Sequence, residues 1–140
     1  MILVIGGAYQ GKRNFIKENF ALREKEIFDA SEGGSHRLKR LLRQGAPDAS
    51  LRAVTSWHLV VKEQWEAGED PKEALAELLR LHPDIILTAD EIGGGLIPLD
   101  PREREYREVV GHTLILAAKK AEKVYRVLAG IGELIKGNKD

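Results

Sequence analysis

Hydrophobic positions along the chain follow two periods, and their alternation predicts the fold. "MILVI" at residues 1–5 is a continuous apolar run of strand length, the pattern of a strand buried on both faces of a parallel sheet, and glycines end it. From Lys12 to about Arg23 the period turns helical, with Phe15, Ile16, Phe20 and Leu22 on one side. "EIFDA" predicts a short strand ending at Asp29, "SEGG" a loop, and "SHRLKRLLRQG" a basic amphipathic helix from an N-cap at Ser35 to a stop at Gly45. "LRAV" reads as a weak strand and Trp57 to Trp65 as a helix. "DPKEALAELLRLHPD" carries the clearest helix signals, with Asp70 as cap and Pro71 at the first helical position. "DIILT" is another buried strand, "ADEIGGGLIPLDP" a long glycine-rich loop, "REREYREVVGHTLILAAKKAE" a long helix and "KVYRVLAG" a final strand, with "KGNKD" as a frayed tail. Strands alternating with helices imply right-handed crossovers and a three-layer α/β domain with a parallel sheet over residues 1–140. Ligand sites in such sheets lie beyond the carboxyl ends of the strands, where both glycine loops fall.

Composition narrows the function classes. Of 140 residues, 22 are Lys or Arg and 22 are Asp or Glu, so the formal net charge is zero and the broad basic field of a nucleic-acid-binding protein is missing. There is no cysteine, which removes disulfides, thiol nucleophiles and Cys-based zinc sites. No apolar run reaches the roughly 18 residues of a membrane span. A cytoplasmic protein with neither nucleic-acid nor membrane partners is expected.

The chemistry concentrates at the first turn. Gly6, Gly7, Ala8, Tyr9, Gln10, Gly11, Lys12 and Arg13 satisfy G-x-x-x-x-G-K, with Arg13 in place of the Ser or Thr that puts a hydroxyl on Mg²⁺. Between a strand and a helix N-terminus, the N–H groups of Gly7 to Lys12 can form an anion nest, and Lys12 adds a mobile cation for the outer phosphates. The plain alternative is a tight turn followed by a solvated lysine. Asp90 and Glu91, at the end of a strand beside three glycines, can hold a metal, a ribose or a substrate amide, or Asp90 can cap its loop. Asp29, at another strand end, would suit a ribose in a dinucleotide fold, but G-x-G-x-x-G is absent. His36, Arg37, Lys39, Arg40 and Arg43 form a basic helix face, either solvated or in contact with a phosphate. His58, His82 and His112 lack metal-ligand spacing, and Trp57 and Trp65 read as core or interface anchors.

"LVIGGAYQGKRNF" and "LTADEIGGGLIPLDPREREYREVVGHTLILAAKKAEKVYRVLAG" together resemble the bifunctional adenosylcobinamide kinase and adenosylcobinamide-phosphate guanylyltransferase family of cobalamin biosynthesis. That family's loop usually reads G-G-A-R-S-G-K-S, and its second half N-E-V-G-x-G-x-V-P, F-R-D-x-x-G and V-x-x-V-x-x-G. Glu91, Gly93, Gly95, Pro98, Tyr106, Arg107, Glu108, Gly111 and Gly130 fall at matching positions, and Val54, Thr55, Ser56 and Trp57 match its L-T-L-W. The resemblance implies a P-loop, RecA-like topology and GTP or ATP on residues Gly6 to Arg13. It also implies Lys12 and Glu91 as catalytic residues, cobinamide or another corrinoid precursor as partner, and a homo-oligomer, a trimer by analogy.

Departures from the pattern reshape that expectation. Arg13 replaces the loop Ser, Asp90 the Asn before Glu91, and Arg52 the acidic residue that precedes L-T-L-W in the place of a metal ligand. His36 with Arg37 is the sole counterpart of the family's H-R-x-x-R-P, without the Arg-Pro, so His36 is not expected to take GMP covalently. Two arginines at one cation site would repel Mg²⁺, since even two unit charges of like sign 4 Å apart repel by about 4 kcal/mol at an effective dielectric near 20. The expectation is therefore metal-independent nucleotide-phosphate binding, with transferase chemistry of the kinase or guanylyltransferase type if the protein is active. The alternative is a non-catalytic binding or assembly protein that keeps the fold.

Overall fold

The structure, a computed structural model, describes residues 1–31, 34–45, 47–92 and 99–139. Six strands form one sheet in the order β2-β3-β4-β1-β5-β6: β1 (Ile2–Gly6), β2 (Ile27–Asp29), β3 (Ala53–Thr55), β4 (Ile86–Asp90), β5 (Lys123–Leu128) and β6 (Ile131–Lys136). The first five run parallel, with Leu3 paired to Leu87 and Val124 on either side, and their order is that of a RecA-like P-loop sheet. Helices cover both faces. α1 (Lys12–Asn19) packs Phe15 and Ile16 against Val4, Ala53, Ile86 and Val127. On the other face α2 (Gly34–Arg43), α3 (Trp57–Glu66), α4 (Pro71–Leu81) and α5 (Pro101–Lys120) close over Leu3, Val54, Leu87 and Val124. The α/β fold, its three layers and its strand-to-helix turn after β1 agree with the sequence pattern.

The differences have physical causes. α1 stops at Asn19 rather than near Arg23, because Ala21 takes a left-handed φ of 50° and a short 3-10 turn at Glu24–Glu26 follows. α2 begins at Gly34, so Ser35 lies inside the helix rather than at its cap. β3, weak in the sequence, is a fully buried interior strand, held between β2 and β4 despite its three residues. The sheet is not all parallel, and "KVYRVLAG" is not the last strand: Ala129 and Gly130, with φ of 50° and 78°, make a two-residue turn into β6, which pairs antiparallel with β5. Gly132 of β6 leaves room for the Phe15 ring, since a Cβ there would sit 2.1 Å from Phe15 Cε2. Lys136, placed in the tail by sequence, ends β6 and donates from Nζ to the Ala118 and Lys119 carbonyls at the C-terminus of α5 (2.8 and 3.1 Å). Among the described residues, no helix is long and apolar enough to cross a membrane.

Candidate functional site

β1 ends at Gly6, and the chain turns through residues 7–11 into α1, beside β4 in a sheet whose strand order reverses at this point. Gly11 at the N-cap has φ 89°, which only glycine adopts without strain, and no side chain caps the first amides of α1. No acidic residue stands in that first turn, so the helix N-terminus keeps free donors. Tyr9, with φ 61°, is fully exposed at the tip. The Gln10 carbonyl accepts from Gly130 N–H at 2.7 Å, so the β5–β6 turn buttresses the loop.

Lys12 is folded back into this turn. It is 9% exposed, and its Nζ donates to the carbonyls of Gly7 (2.8 Å) and Gly6 (3.3 Å) and pairs with Asp90 Oδ1 at 2.7 Å. Asp90 is held from behind by His58 at the start of α3: its N–H donates to His58 Nδ1 at 3.0 Å, and Oδ2 lies 3.4 Å from Nε2. Since Nδ1 accepts, the proton of the neutral ring belongs on Nε2, facing the carboxylate. Burial lowers the His58 pKa while the Asp90 charge opposes it. The Tyr106 hydroxyl donates to the His58 carbonyl at 3.2 Å, and burial, aided by Glu103, Asp90 and Glu66, pushes that phenol up to about 12.

A cavity of about 360 Å³ opens between the loop and the ends of β2, β3 and β4. Thr55, with a side chain 5% exposed, lines it beside Asp29. Asp29 at the end of β2 also faces it: partial burial would raise its carboxyl, but hydrogen bonds from Ser31 and the Arg13 charge outweigh that and hold it low.

The other predicted residues lie elsewhere. Glu91 is not beside Lys12: its N–H extends the sheet to the Gly6 carbonyl at 2.8 Å, and its carboxylate takes two bonds from Arg126 on β5 (3.1 and 3.3 Å). Arg13 lines the rim of the cavity and pairs with Glu24, with Nη2 and Oε2 2.5 Å apart. Arg52 does not face the loop. It precedes β3, three residues and about 10 Å from that strand's carboxyl end, and pairs with Glu26 at 3.5 Å. The supposed pair of arginines at a cation site is therefore a single arginine. His36 is exposed and pairs with Glu63 at 2.9 Å. Trp57 is core, and Trp65 stacks on Tyr106 at 5.6 Å. The glycines Gly93 and Gly95 and Pro98 lie outside the described residues. Sequence reading missed His58, whose signal was its place immediately after the β3 turn, level with the end of β4.

A sequence model of the cobinamide kinase / cobinamide phosphate guanyltransferase family matches residues 38–135, well over half of the chain. The chain belongs to that family. The match takes in His58, Asp90, Glu91 and the β5–β6 hairpin and starts after the glycine loop. Membership relates the protein to cobalamin biosynthesis and to nucleotide-dependent transfer to cobinamide, and the fold is the P-loop fold of that family. Among curated proteins none matches the chain.

The Mg²⁺ of P-loop proteins does not fit the donors present. Position 13 offers a guanidinium instead of a hydroxyl, and the Asp90 carboxylate is already taken by Lys12.

Proposed function

We propose that the loop from Gly6 to Arg13 holds the phosphates of GTP or ATP without Mg²⁺, in a protein whose second ligand is cobinamide or another corrinoid precursor. The observation that carries the reading is Lys12: a buried ammonium at the start of a helix whose first amides have no side-chain cap, under a glycine turn at the end of the central strand. Phosphate oxygens bind such N–H groups and the ammonium by charge-assisted hydrogen bonds. In this reading Lys12 neutralises the outer phosphates and Glu91, fixed by Arg126 on the far side of Gly6, receives a substrate amide. Any turnover is phosphoryl or guanylyl transfer. The family relation further suggests a homo-oligomer, and a trimer is the state proposed.

A second reading, a binding or assembly protein without catalysis, is favoured by Arg13, which cannot ligate the metal that phosphoryl transfer ordinarily uses. Calorimetric titration with ATP and GTP, with and without Mg²⁺, tests the first. Binding in EDTA that weakens about tenfold or more in Lys12→Ala supports it, and equal affinity in that variant sinks it. Incubation with ATP and cobinamide, followed by mass spectrometry of the corrinoid, separates enzyme from binder. Light scattering at tens of micromolar protein reads the oligomer, and a lone monomer would end that part.

A further inference from the structure

We propose that Asp90 is a built-in competitor for phosphate: in the ligand-free protein its carboxylate occupies Lys12, and an anion gains the lysine only by displacing it. The inference rests on the reading of the loop given above. An ammonium has three donors, and Lys12 spends them on Asp90 Oδ1, Gly7 O and Gly6 O, at 2.7, 2.8 and 3.3 Å. None is left over for a ligand. Asp90 is itself anchored, because its N–H donates to His58 Nδ1 and its second oxygen faces Nε2 of the same ring. The ring is positioned in turn by burial and by the bond from Tyr106 to the His58 carbonyl. Three elements thus hold one carboxylate on the lysine: the end of β4, the start of α3 and α5.

The consequence is selectivity by charge and length. Orthophosphate would exchange one anionic partner of Lys12 for another and leave Asp90 unpaired beside it. A triphosphate adds bonds to the amides of residues 7–12 and brings charge that more than replaces the carboxylate. Asp90 therefore sets a threshold that polyphosphates cross and single phosphates do not, and His58 acts on it as a positioning residue.

The test is calorimetric titration of the full chain with ATP and with orthophosphate, in EDTA, comparing the wild type with Asp90→Asn. The neutral amide keeps the shape and releases the lysine, so ATP should bind at least tenfold tighter and the preference for ATP over orthophosphate should shrink. His58→Ala should shift ATP affinity in the same direction by less, and His58→Gln, which can both accept from the Asp90 N–H and donate to its carboxylate, should restore the wild-type value. A ligand-free readout accompanies it: labelling of Lys12 by an amine-acylating reagent, followed by peptide mass spectrometry, should be several-fold faster in Asp90→Asn. Asp90→Ala serves if the Asn variant does not fold. ATP binding in Asp90→Asn that equals or falls below the wild type overturns the proposal. Faster labelling with no ATP binding in any variant overturns the phosphate-loop reading and the competition together, whereas wild-type binding with unchanged labelling overturns the competition alone.

Discussion

Gln10 and Ala129 are joined across 119 positions of sequence by one hydrogen bond, from Ala129 N–H to Gln10 Oε1 at 2.7 Å. With the neighbouring bond from Gly130 N–H to the Gln10 carbonyl, it makes the β5–β6 turn the outer wall of the glycine loop. Gln10→Ala removes the side-chain bond and keeps the backbone one. It should lower stability by about 1 kcal/mol, or roughly 2–4 °C in Tm, and weaken ATP binding by loosening the loop. An unchanged Tm in scanning calorimetry would show that the wall contributes nothing.

The Lys12–Asp90 pair should couple strongly in stability. Lys12→Met leaves Asp90 beside an apolar chain, and Asp90→Asn leaves a buried ammonium with carbonyl partners only, so each change alone should cost more than its share of the double change. A double-mutant cycle in urea is expected to give a coupling of about 1 kcal/mol or more. Additive losses would mean that solvent screens the pair.

His58 gives the protein a pH dependence of known sign. Burial lowers its pKa below the ordinary 6.5, so the native state binds fewer protons there than the unfolded chain. The stability that comes from the neutral ring is complete well above 6.5 and is lost as pH falls from 6.5 toward the folded value. Tm should therefore drop between pH 7.5 and 5.5 more steeply in the wild type than in His58→Gln. Equal slopes would place the buried ring's titration elsewhere.

Arg13 and Arg52 should now behave differently. Arg13→Ser returns a hydroxyl to the loop and should make ATP affinity rise with Mg²⁺, whereas Arg52→Asp, at the amino-terminal end of β3 and away from the loop, should leave ligand binding unchanged. It should lower stability slightly, by removing the partly exposed pair with Glu26 and setting two carboxylates near each other. Titrations of both variants with ATP in EDTA and in Mg²⁺ decide it, and a metal effect from Arg52→Asp alone would contradict the geometry.

What the sequence made legible was whatever its own neighbours determine. β1 is an unbroken apolar run, and α4 announces itself through Asp70, whose Oδ1 accepts from Lys72 N–H at 3.0 Å, and through Pro71. β3 was faint because three residues carry too little period, and its interior place comes from pairing with β2 and β4. β6 was invisible because Gly132 breaks its apolar pattern and Ile131 and Ile135 are exposed, so nothing local distinguishes it from a tail. The glycine loop could be read as a motif, but which carboxylate meets Lys12 could not: Asp90 and Glu91 are adjacent, and the alternation of a strand sends one to Lys12 and the other to Arg126. Arg52 was misplaced for the related reason that spacing along a motif does not say which end of a short strand a residue occupies.

The turn at Ala129 and Gly130 has a mechanical consequence for the loop it supports. Alanine held at φ 50° sits in a left-handed conformation that costs on the order of 1 kcal/mol, which Asn or Gly at the same place would largely avoid. The turn thus stores a little local strain, which is released only when the tip of the hairpin opens. Amide protons of Ala129 and Gly130 should exchange with solvent well ahead of those of Leu3 and Val4, and Ala129→Asn should slow that exchange while raising Tm. The mouth of the glycine loop, rather than its floor, is where this fold yields first.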